Sequence, residues 1–200
     1  ACGVGLIAST EGKKSRKVVE YGIEALKAVW HRGAVDADGK TGDGAGIHVE
    51  IPKDFFIEKI EVTGHSYDNS EICVGMIFLP RNDYAAQESC KTIVESELTK
   101  NDFSIYGWRQ VPVNPKVLGE KAFQTMPEII QVLFKSNNPE LLNKDLERKI
   151  YETRRIIENK AFQVSLNNFY ICSLSSKSII YKGMFLAEAI SDFFLDLKDE

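Results

Sequence analysis

Ala1-Cys2-Gly3-Val4-Gly5-Leu6-Ile7-Ala8 opens the chain. A thiol this near the first residue is unusual, because cysteine is normally buried or paired. Small and apolar residues alternate here as in a short strand, so a strand over residues 1–8 is expected. Two glycines let another backbone or a ligand come close to the thiol. Without Ala1, the thiol and a free α-amine would belong to one residue. An α-amine titrates near ~7.7–8, so it is a serviceable general base at neutral pH. Nucleophile and base on a single N-terminal residue is the cysteine counterpart of the N-terminal threonine device. The plainer alternative is an ordinary core cysteine near a chain boundary. The missing initial Met is expected to mean that upstream residues were removed or belong to a larger protein.

The 200 residues suit one large domain or two small ones, and 44% apolar residues allow a substantial core. A net charge of −4 argues against nucleic acid or an anionic membrane as the main partner. No apolar run reaches the length of a membrane span. Lys13, Lys14, Arg16 and Lys17 follow the apolar start instead of preceding it, unlike a signal peptide. The four cysteines, Cys2, Cys73, Cys90 and Cys172, contain no CxxC pair, so zinc spacing is absent. The last three are expected to be reduced core residues in a reducing compartment. His31, His48 and His65 are dispersed and form no metal cluster in the sequence.

Ser15 is a candidate N-cap for a helix to about Trp30, with Gly33 as its stop. Residues 36–46, rich in Gly and Asp, make a tight loop. Strands are expected at 47–51, 72–79, 103–113 and 128–134, and helices at 53–60, 84–98, 139–159 and 186–194. Phe169–Leu174 and Ile179–Tyr181 are expected to pair as a hairpin around Ser175-Ser176-Lys177-Ser178. Strands and helices interleave without a regular βα rhythm, which points away from a doubly wound fold.

The best chemical constellation is Cys2 with His31-Arg32-Gly33 and Gly42-Asp43-Gly44-Ala45-Gly46. Arg32 near the thiolate would lower its pKa and fix its orientation; alternatively it is a helix-terminal cation facing the macrodipole. Cys2 with His31 as a thiol–imidazole pair is the lesser option. The 42–46 loop lacks the Lys-Ser/Thr of a P-loop, so a glycine turn letting backbone pass the nucleophile strand is preferred to nucleotide binding. Trp108-Arg109 is read as core rather than as a ligand platform. Arg148, Lys149, Arg154 and Arg155 alternate with acids and read as a solvated face.

In this order, the residues resemble the class II glutamine amidotransferase domain that begins glutamate synthase large subunits. Cys2-Gly3-Val4-Gly5 is similar to that family's mature N-terminus. His31-Arg32-Gly33, Ala37-Asp38 and Gly42-Asp43-Gly44-Ala45-Gly46 resemble the signature that separates glutamate synthases from other class II members. Gly107-Trp108-Arg109, Val111-Pro112-Val113, Phe169–Ser176 and Tyr181-Lys182-Gly183-Met184 also match.

The resemblance implies an α+β fold, the four-layer αββα sandwich of N-terminal-nucleophile hydrolases, with residues 1–200 as the N-terminal part of the amidotransferase domain. It implies Cys2 as the nucleophile that attacks the side-chain amide of L-glutamine. Arg32 and Gly33 would orient that nucleophile, and Asp43 and Gly44 would belong to the active-site loop. Ammonia would pass to a downstream synthase domain and meet 2-oxoglutarate. FMN and an iron–sulfur cluster would serve the complete enzyme, with a small reductase subunit or ferredoxin as partner. A cytoplasmic location is implied, or a plastid one in a photosynthetic eukaryote.

Two departures stand out. Ala1 blocks the Cys2 nitrogen as an amide. The family's later motifs (the carboxylate-binding Arg, the Asn-Gly oxyanion pair and the amine-binding Asp) are not found in residues 1–200, so the isolated chain is expected to turn over little glutamine. The alternatives are another N-terminal-nucleophile amidohydrolase, or a silent folding or interaction module.

Overall fold

A computed structural model describes residues 3–198. The elements in chain order are α1 (Arg16–Ala28), β1 (Ala45–Glu50), α2 (Lys53–Val62), β2 (Cys73–Leu79), α3 (Tyr84–Lys100), β3 (Phe103–Gln110), α4 (Glu120–Gln124), β4 (Glu128–Ser136), α5 (Asn143–Gln163), β5 (Tyr170–Ser175), β6 (Ser178–Gly183) and α6 (Ile190–Phe193), with short 3-10 turns between them. The content is mixed α and β with two sheets. The chain forms two compact units: Ala1–Val49, Val111–Met126 and Ile180–Glu200 make the first, and Glu50–Gln110 and Pro127–Ile179 the second.

The second unit is built on a four-stranded sheet in the order β3-β4-β2-β5, with every neighbour pair antiparallel. Central β2 is the near-continuous apolar run Cys73–Leu79 and is buried along almost its whole length. The 3.6-residue period of α5 turns Leu146, Ile150 and Ile157 toward one sheet face, and α3 adds Cys90, Val94 and Leu98. They pack on Ile77, Ile130, Val132, Phe134 and Ile171 from the strands. Between these helices, Glu97 is buried and takes Lys160 at 2.6 Å and Lys100 at 3.1 Å. A buried carboxylate needs such partners to offset its desolvation.

The first unit packs aromatic residues from its last segment. Phe193 and Phe194 lie edge-to-face at 4.8 Å, and Tyr181 meets Phe194 at 5.1 Å. Val113 bridges Phe194, and Asn114 N–H donates to Phe193 O at 2.9 Å, drawing the 111–118 segment into this core. Arg16 at the start of α1 donates to the Leu197 carbonyl. β1 and β6 form a two-stranded sheet.

Several expectations are corrected. Residues 3–8 form no strand: Val4 and Leu6 are about nine-tenths exposed, and among the described residues no ladder takes this segment. Gly3 and Gly5 offer no side chain to pack and lose more entropy on ordering than other residues, so the alternation alone does not hold a strand. β5 and β6 are not a paired hairpin. β5 joins β2 and β6 joins β1, while Ser175 Oγ accepts from Lys177 N and Ser178 N and Glu147 accepts from both Ser175 and Ser176 in the connecting turn. β3 stops at Gln110 because Pro112 lacks a ladder donor. α1 ends at Ala28, and the expected 186–194 helix is a 3-10 turn followed by the single turn of α6. Among the described residues, no helix is long and apolar enough to cross a membrane.

Candidate active site

Cys2 lies outside the described residues, as does any Cys2–His31 pairing. Ser15 caps α1, its Oγ accepting from Lys17 N at 3.3 Å. Val29 closes the helix, and a 3-10 turn over Trp30–Arg32 follows, with Arg32 N–H donating to Val29 O at 2.9 Å. Arg32 and His31 are exposed on this turn, His31 edge-on to Trp30 at 6.5 Å. Gly3, the residue that follows Cys2 in the chain, passes this turn closely. A Cβ on Gly3 would stand 3.1 Å from Val29 Cβ and 3.3 Å from Arg32 Cγ.

Gly33 ends the helical stretch as the C-cap of the 3-10 turn, in extended conformation with φ −91 and ψ 154. Its N–H donates to Trp30 O at 3.0 Å. What constrains the position is Asp43: a Cβ on Gly33 would lie 3.2 Å from Asp43 Oδ1. The two runs meet because residues 34–43 fold back on themselves. Asp36 N–H donates to Thr41 O at 2.8 Å and Asp43 N–H to Ala34 O at 3.2 Å, with Val35 bridging Gly42 between them. Gly44 follows at φ +127, a conformation that an L side chain rarely adopts. Arg32, Gly33, Asp43 and Gly44 are thus brought to one end of this turn.

The expected approach of the loop to the nucleophile strand lies in part outside the described residues; among the described residues, Gly42 and Gly46 seat the loop on β6 and the chain after it. A Cβ on Gly42 would lie 2.7 Å from the Phe185 carbonyl oxygen, and one on Gly46 2.9 Å from that of Tyr181.

Sequence reasoning assigned no role to Asp36, Thr41, Gly119 or Lys121, and quoted Asp38 only as part of a motif. Asp38 accepts from Lys40 N at 2.9 Å, Thr41 N at 2.7 Å and Thr41 Oγ1 at 2.6 Å. The Thr41 hydroxyl, helped by these amides, holds the Asp38 carboxyl well below the usual carboxylate range. Lys121 sits 2.7 Å from Asp36, and its hydrogen bond is the main cause of a lowered Asp36 pKa. The Asp-x-Asp-Gly-x-Thr spacing was visible, but its partner at 119–122 is far away in sequence.

Other sequence candidates fall in the second unit. Trp108 packs against the core and donates to Glu95 at 2.6 Å, and Arg109 donates to Gln131 Oε1 at 2.7 Å with its guanidinium over Phe55. Arg148 pairs with Glu152 on the solvated face, whereas Arg154 also reaches the Ile171 carbonyl and ties α5 to β5. Cys73, Cys90 and Cys172 are buried. Burial pushes the Cys73 thiol far up and the Cys90 thiol up to about 11, so neither is a ready nucleophile.

Comparison with known proteins supplies the last observation. The family model for class II glutamine amidotransferases matches residues 2–200, beginning at Cys2. The chain is 56% identical over its full length to the glutamate synthase [NADPH] large chain of Azospirillum brasilense. It is 41% identical over its full length to ferredoxin-dependent glutamate synthase 1, chloroplastic/mitochondrial, of Arabidopsis thaliana, and 38% identical to the chloroplastic ferredoxin-dependent enzyme of Spinacia oleracea. It spans 13% of the length of the bacterial protein and 12% of each plant protein.

Proposed function

Because the chain belongs to the class II glutamine amidotransferases, we propose that it is the glutamine-hydrolysing part of a glutamate synthase, with Cys2 as nucleophile. The observation that carries this reading is the family match that starts at Cys2 and runs to residue 200. The packing of Gly3 against Val29 and the Arg32 stem supports it, since the Arg32 side chain starts beside the residue that follows the nucleophile.

The chemistry balances on one residue. With the Ala1–Cys2 peptide bond cleaved, the α-amine takes the thiol proton as sulfur attacks the glutamine side-chain carbonyl. The ammonium returns that proton to the leaving nitrogen, the C–N bond breaks, and ammonia departs from a γ-glutamyl thioester. Water, deprotonated by the same amine, then splits the thioester into glutamate and free thiol. Arg32 favours the thiolate, and Gly33, Asp43 and Gly44 shape the wall beside it.

The αββα sandwich is the architecture we assign to the complete domain, of which residues 1–200 are the N-terminal part. The ammonia passes to a downstream synthase domain and 2-oxoglutarate. Electrons come from ferredoxin or a small reductase subunit, in the cytoplasm or, in a photosynthetic eukaryote, the plastid. The residues described here do not suit an iron–sulfur cluster: Cys73, Cys90 and Cys172 are buried, and no three His, Cys, Asp or Glu side chains among the described residues form a metal site. No step of this proposal runs through that cluster or through FMN.

A diazo-ketone analogue of glutamine tests the assignment. It is expected to alkylate Cys2 in the natural protein, in step with loss of glutaminase activity, and to leave Cys73, Cys90 and Cys172 untouched. Labelling elsewhere, or unchanged activity in Cys2→Ala, overturns it.

A further inference from the structure

We propose that Thr41 and Asp38, with Gly119, act as a positioning lock that holds the 34–43 turn, and through it Arg32, Gly33 and Asp43, beside the nucleophile segment. The proposal rests on the glutaminase reading above and names residues that reading does not use.

The lock is a helix cap supplied from a distant part of the chain. α4 is five residues long, too short to persist by itself. Its N-cap position is Gly119, which has no side chain to satisfy the first-turn amides. Thr41 Oγ1 takes that part, accepting from Ala122 N–H at 3.4 Å, the third residue of α4. An N-cap oxygen normally accepts at this position, but from the residue immediately preceding the helix. Here it comes from 81 residues away.

Gly119 is what makes the approach possible. A Cβ there would overlap Asp38 Oδ2 and Thr41 Oγ1 and stand 2.6 Å from Thr41 N. Thr41 is only 2% exposed and Gly42 after it is buried, while residues 37–40 before it are open to solvent. Its hydroxyl both donates to Asp38 and accepts from Ala122. Lys121 adds an outer tie to Asp36 at 2.7 Å.

The consequence runs back along the turn. Thr41 O accepts from Asp36 N, and two residues later Asp43 N donates to Ala34 O. Those bonds set where Asp43 meets Gly33, directly after Arg32. A displacement near 1 Å at a reacting group costs about 10²-fold in rate, so a slack turn is read in kcat.

Three variants test this in the natural protein. Thr41→Val keeps the shape and removes the hydroxyl. It is expected to lower kcat for glutamine hydrolysis about 10- to 100-fold and the diazo-ketone labelling rate of Cys2 in parallel, with KM within about threefold. Thr41→Ser restores the hydroxyl and is expected to bring kcat back to within about threefold of wild type, which a mere packing role would not produce. Lys121→Gln removes only the exposed tie, so the protein stays folded; a kcat loss of about threefold or more is expected, with KM unchanged. If Thr41→Val does not fold, Lys121→Gln decides. Wild-type kcat and labelling in Thr41→Val, or in Lys121→Gln where Thr41→Val cannot be read, overturn the lock and leave the glutaminase assignment standing. No glutaminase activity in the wild-type protein overturns the assignment itself.

Discussion

At the scale of single residues, the candidate site is a matter of close approach. Arg32, Gly33, Asp43 and Gly44 converge because amides on one limb of the 34–43 turn meet carbonyls on the other. The charges around the turn are mostly exposed, and their contribution is conditional on pH. Asp36 is held below its ordinary value of 3.8, chiefly by Lys121, and Lys121 is raised above 10.5, chiefly by Asp36. A carboxyl with a lowered folded pKa stabilises the fold above its unfolded value, and that stability is lost as pH falls through the folded value. A raised ammonium contributes fully below its unfolded value and loses that contribution as pH rises through the folded one. The pair therefore acts from just above pH 3.8 to about 10.5. Asp36→Asn is expected to melt slightly below wild type at pH 7, with the gap narrowing as pH falls below 3.8 toward pH 2. The gap at pH 7 is expected to shrink in about 1 M salt, where the screening length is only ~3 Å. An equal gap at both pH values would mean that the aspartate acts by packing instead.

At the scale of elements, hydrophobic period decides which helices carry the structure. Ile150 on α5 is fully buried among α3 and the sheet. Ile150→Ala is expected to cost about 2–5 kcal/mol, read as a lower urea midpoint at unchanged slope. Tyr151, its neighbour in sequence, is mostly exposed, and its replacement by Ala is expected to stay within about 0.5 kcal/mol. The same period made α1, α3 and α5 legible in the sequence, and the apolar run 72–79 announced β2. α4 was not legible, because five residues carry no period and its capping oxygen comes from Thr41. The opening strand was misread for the opposite reason: Gly3, Val4, Gly5 and Leu6 alternate correctly, yet pairing partners and not alternation make a strand. Ser175–Ser178 looked like a hairpin turn, but local polarity does not reveal that the two strands join different sheets. Of the site, Arg32, Gly33 and the 42–46 run were visible as residue types. The reason for Gly33 was not, since only the fold places Asp43 beside it.

At the scale of the molecule, the chemistry proposed for the first residues and the buried thiols are kept in separate parts of the chain. Cys73, Cys90 and Cys172 all belong to the second unit and are buried in it. For Cys2 to act as the one nucleophile, as proposed, the other three cysteines must stay silent; burial blocks access to all three and disfavours the thiolate of Cys73 and Cys90. For Cys90 the effect has a size. A thiol pushed from 9.0 up to about 11 holds about 10²-fold less thiolate at pH 8, before access is counted. Cys73, shifted further by its near-complete burial, is expected to be slower still. Brief treatment of the natural protein with iodoacetamide at pH 8, followed by peptide mapping, is expected to modify Cys2 first, Cys90 at least about 10²-fold more slowly, and Cys73 last. After denaturation all four are expected to react within a fewfold of one another. Native-state modification of Cys73 ahead of Cys2 would show that the sheet and helix core of the second unit opens more readily than its packing implies, and that the thiol at position 2 is not the activated one.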